Sequence, residues 1–240
     1  MDTGVDILGF KIAPVTMAQA VERALQLIAL RRGQIVTANA EILYTAATDE
    51  SLGKVVQAGE LVIADGMGVV WGARFTGQKL PERVSGYDLL HALCQSASER
   101  GLSVYLLGGE PSVAEAAAAR LKELYPRLTV AGTHHGYFAE TESDARLSAI
   151  REAQPNFLFV ALGLRGERWI YDRKALLACP AMQVGGSFDI LAGRAVRAPR
   201  WMQRSGLEWA YRLFKEPKRL KRIWALPLFM WKVVTRSVMA

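Results

Sequence analysis

Asp65 closes the apolar run Leu61-Val62-Ile63-Ala64 and is followed at once by Gly66 and, after Met67, by Gly68. A carboxylate at the end of a buried strand, beside glycines that let the backbone approach closely, is where an α/β protein can hold a general base. Capping of the next helix explains the same residues as simply. Thr37-Ala38-Asn39-Ala40-Glu41 repeats the arrangement, with a strand giving way to a helix. Its hydroxyl, its amide and the first backbone N–H groups of that helix can all face a ligand. Asn39 also suits plain N-capping.

Three further strand ends carry glycine. Gly108 and Gly109, ahead of Glu110-Pro111, have the form of a phosphate cradle at a helix N-terminus, although GxGxxG and a following acidic ribose-binding residue are both missing. Gly163-Leu164-Arg165-Gly166-Glu167 follows the most apolar strand, so Arg165 and Glu167 can hold a charged or hydroxyl-rich ligand or simply open a helix. Gly185-Gly186-Ser187-Phe188-Asp189 is a similar case, with Asp189 a candidate cap. Gly136-Tyr137-Phe138 offers an aromatic face for a base or sugar, or a core aromatic. There is no DxD, HExxH, Walker-type GxxxxGK[ST] or GxSxG. His91, His134 and His135 form no ligand spacing with an acidic pair, and no metal or other cofactor is expected.

These groups need a scaffold that brings strand ends together. Short β-type runs at 34–37, 61–64, 104–107, 128–131, 157–162 and 182–184 alternate with helix candidates at 41–50, 86–100, 111–124, 143–153 and 166–178. Such alternation predicts an α/β fold, a mostly parallel sheet with helices on both faces, whose ligands gather at the carboxyl ends of the strands. At 240 residues, 51% apolar and 22% charged, the chain is long and apolar enough for one such domain plus an appendage, and disorder is excluded. Cys94 and Cys179 stand far apart without CxxC spacing, which excludes a disulfide scaffold and fits a reducing compartment.

The charge is lopsided. Residues 194–240 hold 12 Lys and Arg against Glu208 and Glu216, leaving residues 1–193 with 18 basic and 21 acidic side chains. The expected division is a catalytic core over 1–194 and a basic, Trp-rich helical appendage over 195–240. Trp209, Trp224 and Trp231 lie among Arg212, Lys215, Lys218, Arg219, Lys221 and Arg222. Aromatics beside a basic cluster suit an anionic membrane surface, and arginine pairs bidentately with phosphate. The run 223–231 is apolar but too short to span a bilayer, and Pro227 is expected to break it. The acidic start of the chain, with no apolar leader, points to the cytoplasm. Nucleic-acid binding lacks a helix-turn-helix, RRM or zinc module, and a charged face packed onto the core by its tryptophans is the plainer alternative. A homo-oligomer joined through apolar surface that the appendage otherwise covers is left open.

Taken in order, Thr37-Ala38-Asn39-Ala40-Glu41, Ala64-Asp65-Gly66, the segment from Leu80 to Asp88, Leu107-Gly108-Gly109, Gly136-Tyr137-Phe138, Ala161-Leu162-Gly163, Gly185-Gly186-Ser187-Phe188-Asp189, Arg197-Ala198-Pro199, Gly206-Leu207-Glu208-Trp209, Arg212 and Glu216-Pro217-Lys218-Arg219 resemble the WecG/TagA/CpsF family of bacterial glycosyltransferases from about Val36 to about Arg222. The resemblance implies a Rossmann-like, metal-independent, inverting enzyme, peripheral on the inner face of the cell membrane. It would move a hexosyl, N-acetylhexosaminyl or uronosyl group from a UDP-sugar to a polyprenyl-diphosphate-linked sugar in surface or exopolysaccharide synthesis. It implies Asp65 as base with Thr37 and Asn39 beside it, and Arg83, Gly108, Gly109, Gly136, Tyr137, Gly163, Glu167 and Gly185 about the substrates. Arg212, Arg219 and Arg222 would meet the lipid diphosphate. One departure is plain: where the family carries Pro-Lys-Gln-Glu, this chain has Leu164-Arg165-Gly166-Glu167, so the glutamine implicated in substrate contact is missing at Gly166. The competing readings are a UDP-sugar-modifying NAD enzyme, which needs no lipid acceptor, and a non-catalytic membrane or nucleic-acid module, which releases no UDP.

Overall fold

A computed structural model describes residues 4–163, 165–215 and 224–238. Six parallel strands form the central sheet: β3 (Gln34–Ala38), β4 (Leu61–Ala64), β5 (Ser103–Gly108), β6 (Thr129–His134), β7 (Phe157–Ala161) and β8 (Ala181–Gln183), in the order β4-β3-β8-β7-β5-β6. Successive residues point to opposite faces. Ile35, Ile63, Leu106, Phe159 and Met182 enter one apolar cluster, with α1 (Met17–Ala29), α5 (Gly86–Arg100), α6 (Val113–Leu124) and α9 (Ser187–Leu191). On the other face, Val36 and Val62 meet α2 (Ala40–Ala46), α3 (Glu50–Gln57) and α4 (Met67–Phe75), while Leu158 and Val160 meet α7 (Ser143–Ala153) and α8 (Arg165–Arg173). Both faces being covered, the central strands are mostly apolar, as a parallel sheet requires, while the edge strand β6 is only partly buried.

The α/β expectation holds, with local differences. The helix expected over 41–50 is two helices, because Asp49 Oδ1 accepts from the Ser51 and Leu52 N–H groups at 2.9 and 3.2 Å and starts α3 afresh. The helix expected from 111 begins at Val113, after Ser112 in the left-handed region (φ 71°), and the one expected to reach 178 ends at Arg173. An antiparallel hairpin, β1 (Val5–Ile7) and β2 (Phe10–Ile12), precedes the sheet; Leu8 and Gly9 turn it with φ of 57° and 91°.

Beyond Gly193 run α10 (Arg200–Arg204), α11 (Glu208–Lys215) and α12 (Ala225–Val238). Pro227 does not break α12. It is the third residue of the helix, where the backbone N–H has no intrahelical partner to lose. α12 is built into the body: Phe229 and Val233 are buried in the cluster formed by the hairpin, α2 and α4. A Cβ at Gly72 would stand 3.1 Å from the Phe229 ring, so α4 presents a glycine where that ring lies. Among the described residues, no helix is long and apolar enough to cross a membrane.

Candidate active site

The sheet order places β3 and β8 side by side although the chain leaves β3 toward β4, and the crevice between such strands is where α/β sheets hold ligands. A cavity of about 340 Å³ opens there, floored by the carboxyl ends of β4, β3, β8 and β7 through Asp65, Thr37, Gln183 and Gly163. Its far wall comes from the appendage, through Gly206, Glu208, Trp209 and Leu226. Residues far apart in sequence thus share one site.

Thr37 is buried, and its Oγ1 donates to the Gln183 carbonyl at 3.1 Å, tying β3 to β8 at the cavity floor. Asp65 follows β4 and its N–H donates to the Ala38 carbonyl at 2.8 Å. Gly66 (φ 109°) takes the turn into α4. Gly86, the first residue of α5, closes the group: an added Cβ would lie 3.0 Å from Thr37 Cγ2 and 3.5 Å from Asp65 Oδ2. Its lack of a side chain brings the positive end of the α5 dipole beside the Asp65 carboxylate. Asn39 lines the cavity as well, and its side-chain oxygen caps α2 by accepting from the Ile42 N–H at 2.9 Å, so the capping reading and the site placement hold together.

Glu167 also belongs to the wall, but it is fully buried. Burial pushes its carboxyl up to about 8, against hydrogen bonds from the Gln34 side chain and the Thr37 backbone. Gln34 Nε2 donates to Glu167 Oε2 at 2.7 Å, and Glu167 Oε1 has no hydrogen-bond partner among the described residues.

Positive charge enters from Arg83 and Arg197. Arg83 Nη1 donates to Glu208 Oε2 at 3.0 Å, joining the core to α11. Arg197 makes a two-pronged pair with Asp88 at 2.6 and 2.7 Å and lies over the Tyr87 ring at 4.6 Å. Burial works to raise the Asp88 carboxyl, but the Arg197 hydrogen bond and charge hold it below the usual carboxylate range. Both arginines line the cavity.

Gly166 stands beside a carboxamide supplied by another strand. A Cβ there would meet Gln183 Oε1, Cδ and Nε2 at 2.5, 2.6 and 2.8 Å, so the Gln183 side chain occupies the space that a side chain at 166 would need. Sequence reasoning did not single out Gln183. The available signal was a polar residue near the end of the apolar run Ala181-Met182-Gln183-Val184.

The other expected residues divide. Gly163 (φ 63°) and Gly185 (φ 55°) lie on the cavity wall. Gly108, Gly109, Gly136 and Tyr137 do not border it: Gly109 donates its N–H to the Ala161 carbonyl at 3.0 Å, and Gly136 donates to the Gly109 carbonyl at 2.7 Å. A Cβ on Gly108 would collide with the Ala161 carbonyl, so these glycines let the ends of β5, β6 and β7 approach. Tyr137 is exposed. Arg212 lies on α11, while Arg219 and Arg222 lie outside the described residues. Trp201, Phe214, Trp224 and Trp231 of the appendage expose large apolar surface.

Comparison with known proteins gives one consistent result. The family model described as the glycosyl transferase WecG/TagA/CpsF family matches residues 5–240. An N-acetylglucosaminyldiphosphoundecaprenol N-acetyl-beta-D-mannosaminyltransferase of Staphylococcus aureus (strain MW2) is 33% identical over 234 residues, covering 95% of this chain and 91% of that protein. A protein of the same name from Bacillus subtilis (strain 168) is 33% identical over 202 residues, covering 83% of this chain and 78% of that protein.

Proposed function

The chain belongs to the WecG/TagA/CpsF family of glycosyltransferases, and from this premise we propose that it moves an N-acetylhexosaminyl group from a UDP-sugar to a polyprenyl-diphosphate-linked sugar, with inversion at the anomeric carbon. The choice of an N-acetylhexosaminyl group, within the wider range of sugars expected from the sequence, is supported by the names of the relatives. The observation that carries the reading is the meeting of Asp65, Thr37 and Arg83 in one cavity whose wall is completed by the appendage.

Asp65 serves as the general base. It takes the proton of the acceptor hydroxyl as that oxygen forms its bond to the anomeric carbon, and the bond between this carbon and the UDP oxygen breaks with its electron pair going to the diphosphate. Arginine and helix N-termini suit the charge that develops on that diphosphate. Arg83 and Arg197, which line the cavity, take this part, and Arg212, Arg219 and Arg222, carried over from the family resemblance, take the diphosphate of the lipid acceptor. The exposed tryptophans of the appendage sit in the interface of an anionic membrane, so that the acceptor reaches the cavity without leaving the bilayer.

The test is UDP release by the full chain in vesicles containing anionic lipid, across a panel of UDP-sugars, with and without a polyprenyl-diphosphate-N-acetylglucosamine acceptor and with EDTA present. Release that depends on both the acceptor and one donor is expected. Silence from folded, vesicle-bound protein would overturn the enzymatic reading in favour of a binding module.

A further inference from the structure

Gln183 is nearly buried at the end of β8, with its carboxamide in the cavity wall and anchored from below. Oε1 accepts from the Leu162 N–H at 3.5 Å, and Nε2 donates to the Gly163 carbonyl. A primary carboxamide has two N–H donors and two acceptor lone pairs, so one of each remains for a ligand. The orientation is set by backbone groups of the neighbouring strand end, which makes it a prepared rather than an adaptable contact.

Gly166 explains how the carboxamide fits. This residue is inside α8, where helix propensity alone favours alanine. Its conformation does not demand glycine, because its φ is not positive. What excludes a side chain is contact with all three terminal atoms of Gln183 within 2.8 Å. Those atoms are the end of a flexible side chain, so a methyl group at 166 would displace the carboxamide and leave the backbone in place.

The strand order says which part of the substrate Gln183 meets. Asp65, Thr37, Gln183 and Gly163 end β4, β3, β8 and β7, which are neighbours in that order. Adjacent strands lie about 4.8 Å apart, so Gln183 stands two strands, about 10 Å across the sheet, from Asp65 and past Thr37, and the register sets it level with Val62, three residues before Asp65. With the acceptor hydroxyl at Asp65, the ring above β8 is the transferred one.

We propose that Gln183 contacts the transferred sugar and selects its hydroxyl or acetamido substituents, and that Gly166 is the space that keeps its carboxamide in position. The inference rests on the glycosyltransferase reading above. Its test compares Gln183→Ala, Gln183→Met, Gly166→Ala and the double variant Gly166→Ala/Gln183→Ala in the acceptor-dependent UDP-release assay. Each is run with the preferred UDP-sugar and with the analogue altered at C2, alongside UDP binding by calorimetry. Gln183→Met retains the volume and so guards against a packing defect.

Each single variant is expected to lose about tenfold or more in kcat/KM with the preferred donor, the weight of one polar contact to a reacting sugar, while UDP affinity stays within about twofold. The preference between the two donors should narrow, which a merely structural role would not produce. The double variant should be no slower than Gln183→Ala. Wild-type kcat/KM in Gln183→Met, or an equal loss of UDP affinity, would overturn the contact, and losses that multiply in the double variant would overturn the link to Gly166. A wild-type protein without acceptor-dependent turnover would instead overturn the enzymatic reading and this inference with it.

Discussion

Arg83 of the core and Glu208 of the appendage, 125 residues apart, meet at 3.0 Å with both side chains mostly withdrawn from water. The arginine expected to assist substrate binding is therefore also the group that fastens α11 over the cavity. Removing one partner of a charge-assisted hydrogen bond in such a place costs about 1.5–3 kcal/mol. Glu208→Ala should lower stability by that order and raise KM for the lipid acceptor with little change in kcat. Arg83→Ala should do both and lower kcat as well. A double-mutant cycle read by denaturant unfolding checks the pair, and additive losses would dissolve it.

Asp65→Asn keeps the shape of the residue and removes the carboxylate proposed as the base. Turnover should fall by roughly 10²- to 10⁴-fold, the usual weight of positioned proton transfer, with the unfolding midpoint unchanged. Steady-state UDP release under saturating donor and acceptor measures it. Near wild-type turnover would remove Asp65 from the chemistry.

The appendage carries two separable loads, which changes what deleting residues 195–240 would mean. That deletion also takes away Phe229, fully buried against Gly72 of α4. Phe229→Ala alone should cost about 3–5 kcal/mol, the price of a large buried side chain lost from a packed core, so the deletion would be destabilised as well as inactive. Thermal unfolding of both proteins decides this, and a deletion variant melting with the full chain would overturn it.

Trp224 and Trp231, in contrast, are 61% and 71% exposed and can be altered without opening the core. Trp224→Ser/Trp231→Ser should weaken binding to vesicles containing phosphatidylglycerol while the melting temperature holds. Added salt should weaken what binding remains, because basic residues near an anionic surface act within a Debye length of about 10 Å at 0.1 M. Equal sedimentation of both proteins with vesicles would count against the tryptophans.

The sheet was legible because its central strands are mostly apolar on both faces and give way to turn residues, as Leu61-Val62-Ile63-Ala64 does before Asp65 and Gly66. The hairpin escaped because its strands are three residues long and its turn is Leu8-Gly9, where Asn or Asp would have signalled it. α4 escaped because Met67-Gly68-Val69-Val70-Trp71-Gly72 has two glycines and no polar stripe, being packed against α12 on the side where a lone surface helix would face water. Asp65 and Thr37 could be found from their places at strand ends. Gln183 also stands at a strand end, but its setting depends on the missing side chain at Gly166 on a different element, a relationship that only the packing of β8 against α8 creates.

Glu167 supplies a prediction with a definite sign. Its carboxyl titrates near the ordinary 4.5 in the unfolded chain, while burial raises it to about 8 in the folded one. Between those values the folded protein holds a proton that the unfolded chain has released, so stability must fall as pH rises through that window. Gln34 Nε2 can still donate to the side-chain oxygen of a glutamine at this position, and a glutamine carries no proton to lose. Glu167→Gln should therefore flatten the decline, gaining stability relative to wild type at about pH 8 and least at about pH 5. Unfolding midpoints for the two proteins across that range test it. Parallel pH profiles would show that the buried carboxyl is charged in the folded protein and is held by something other than Gln34 and Thr37.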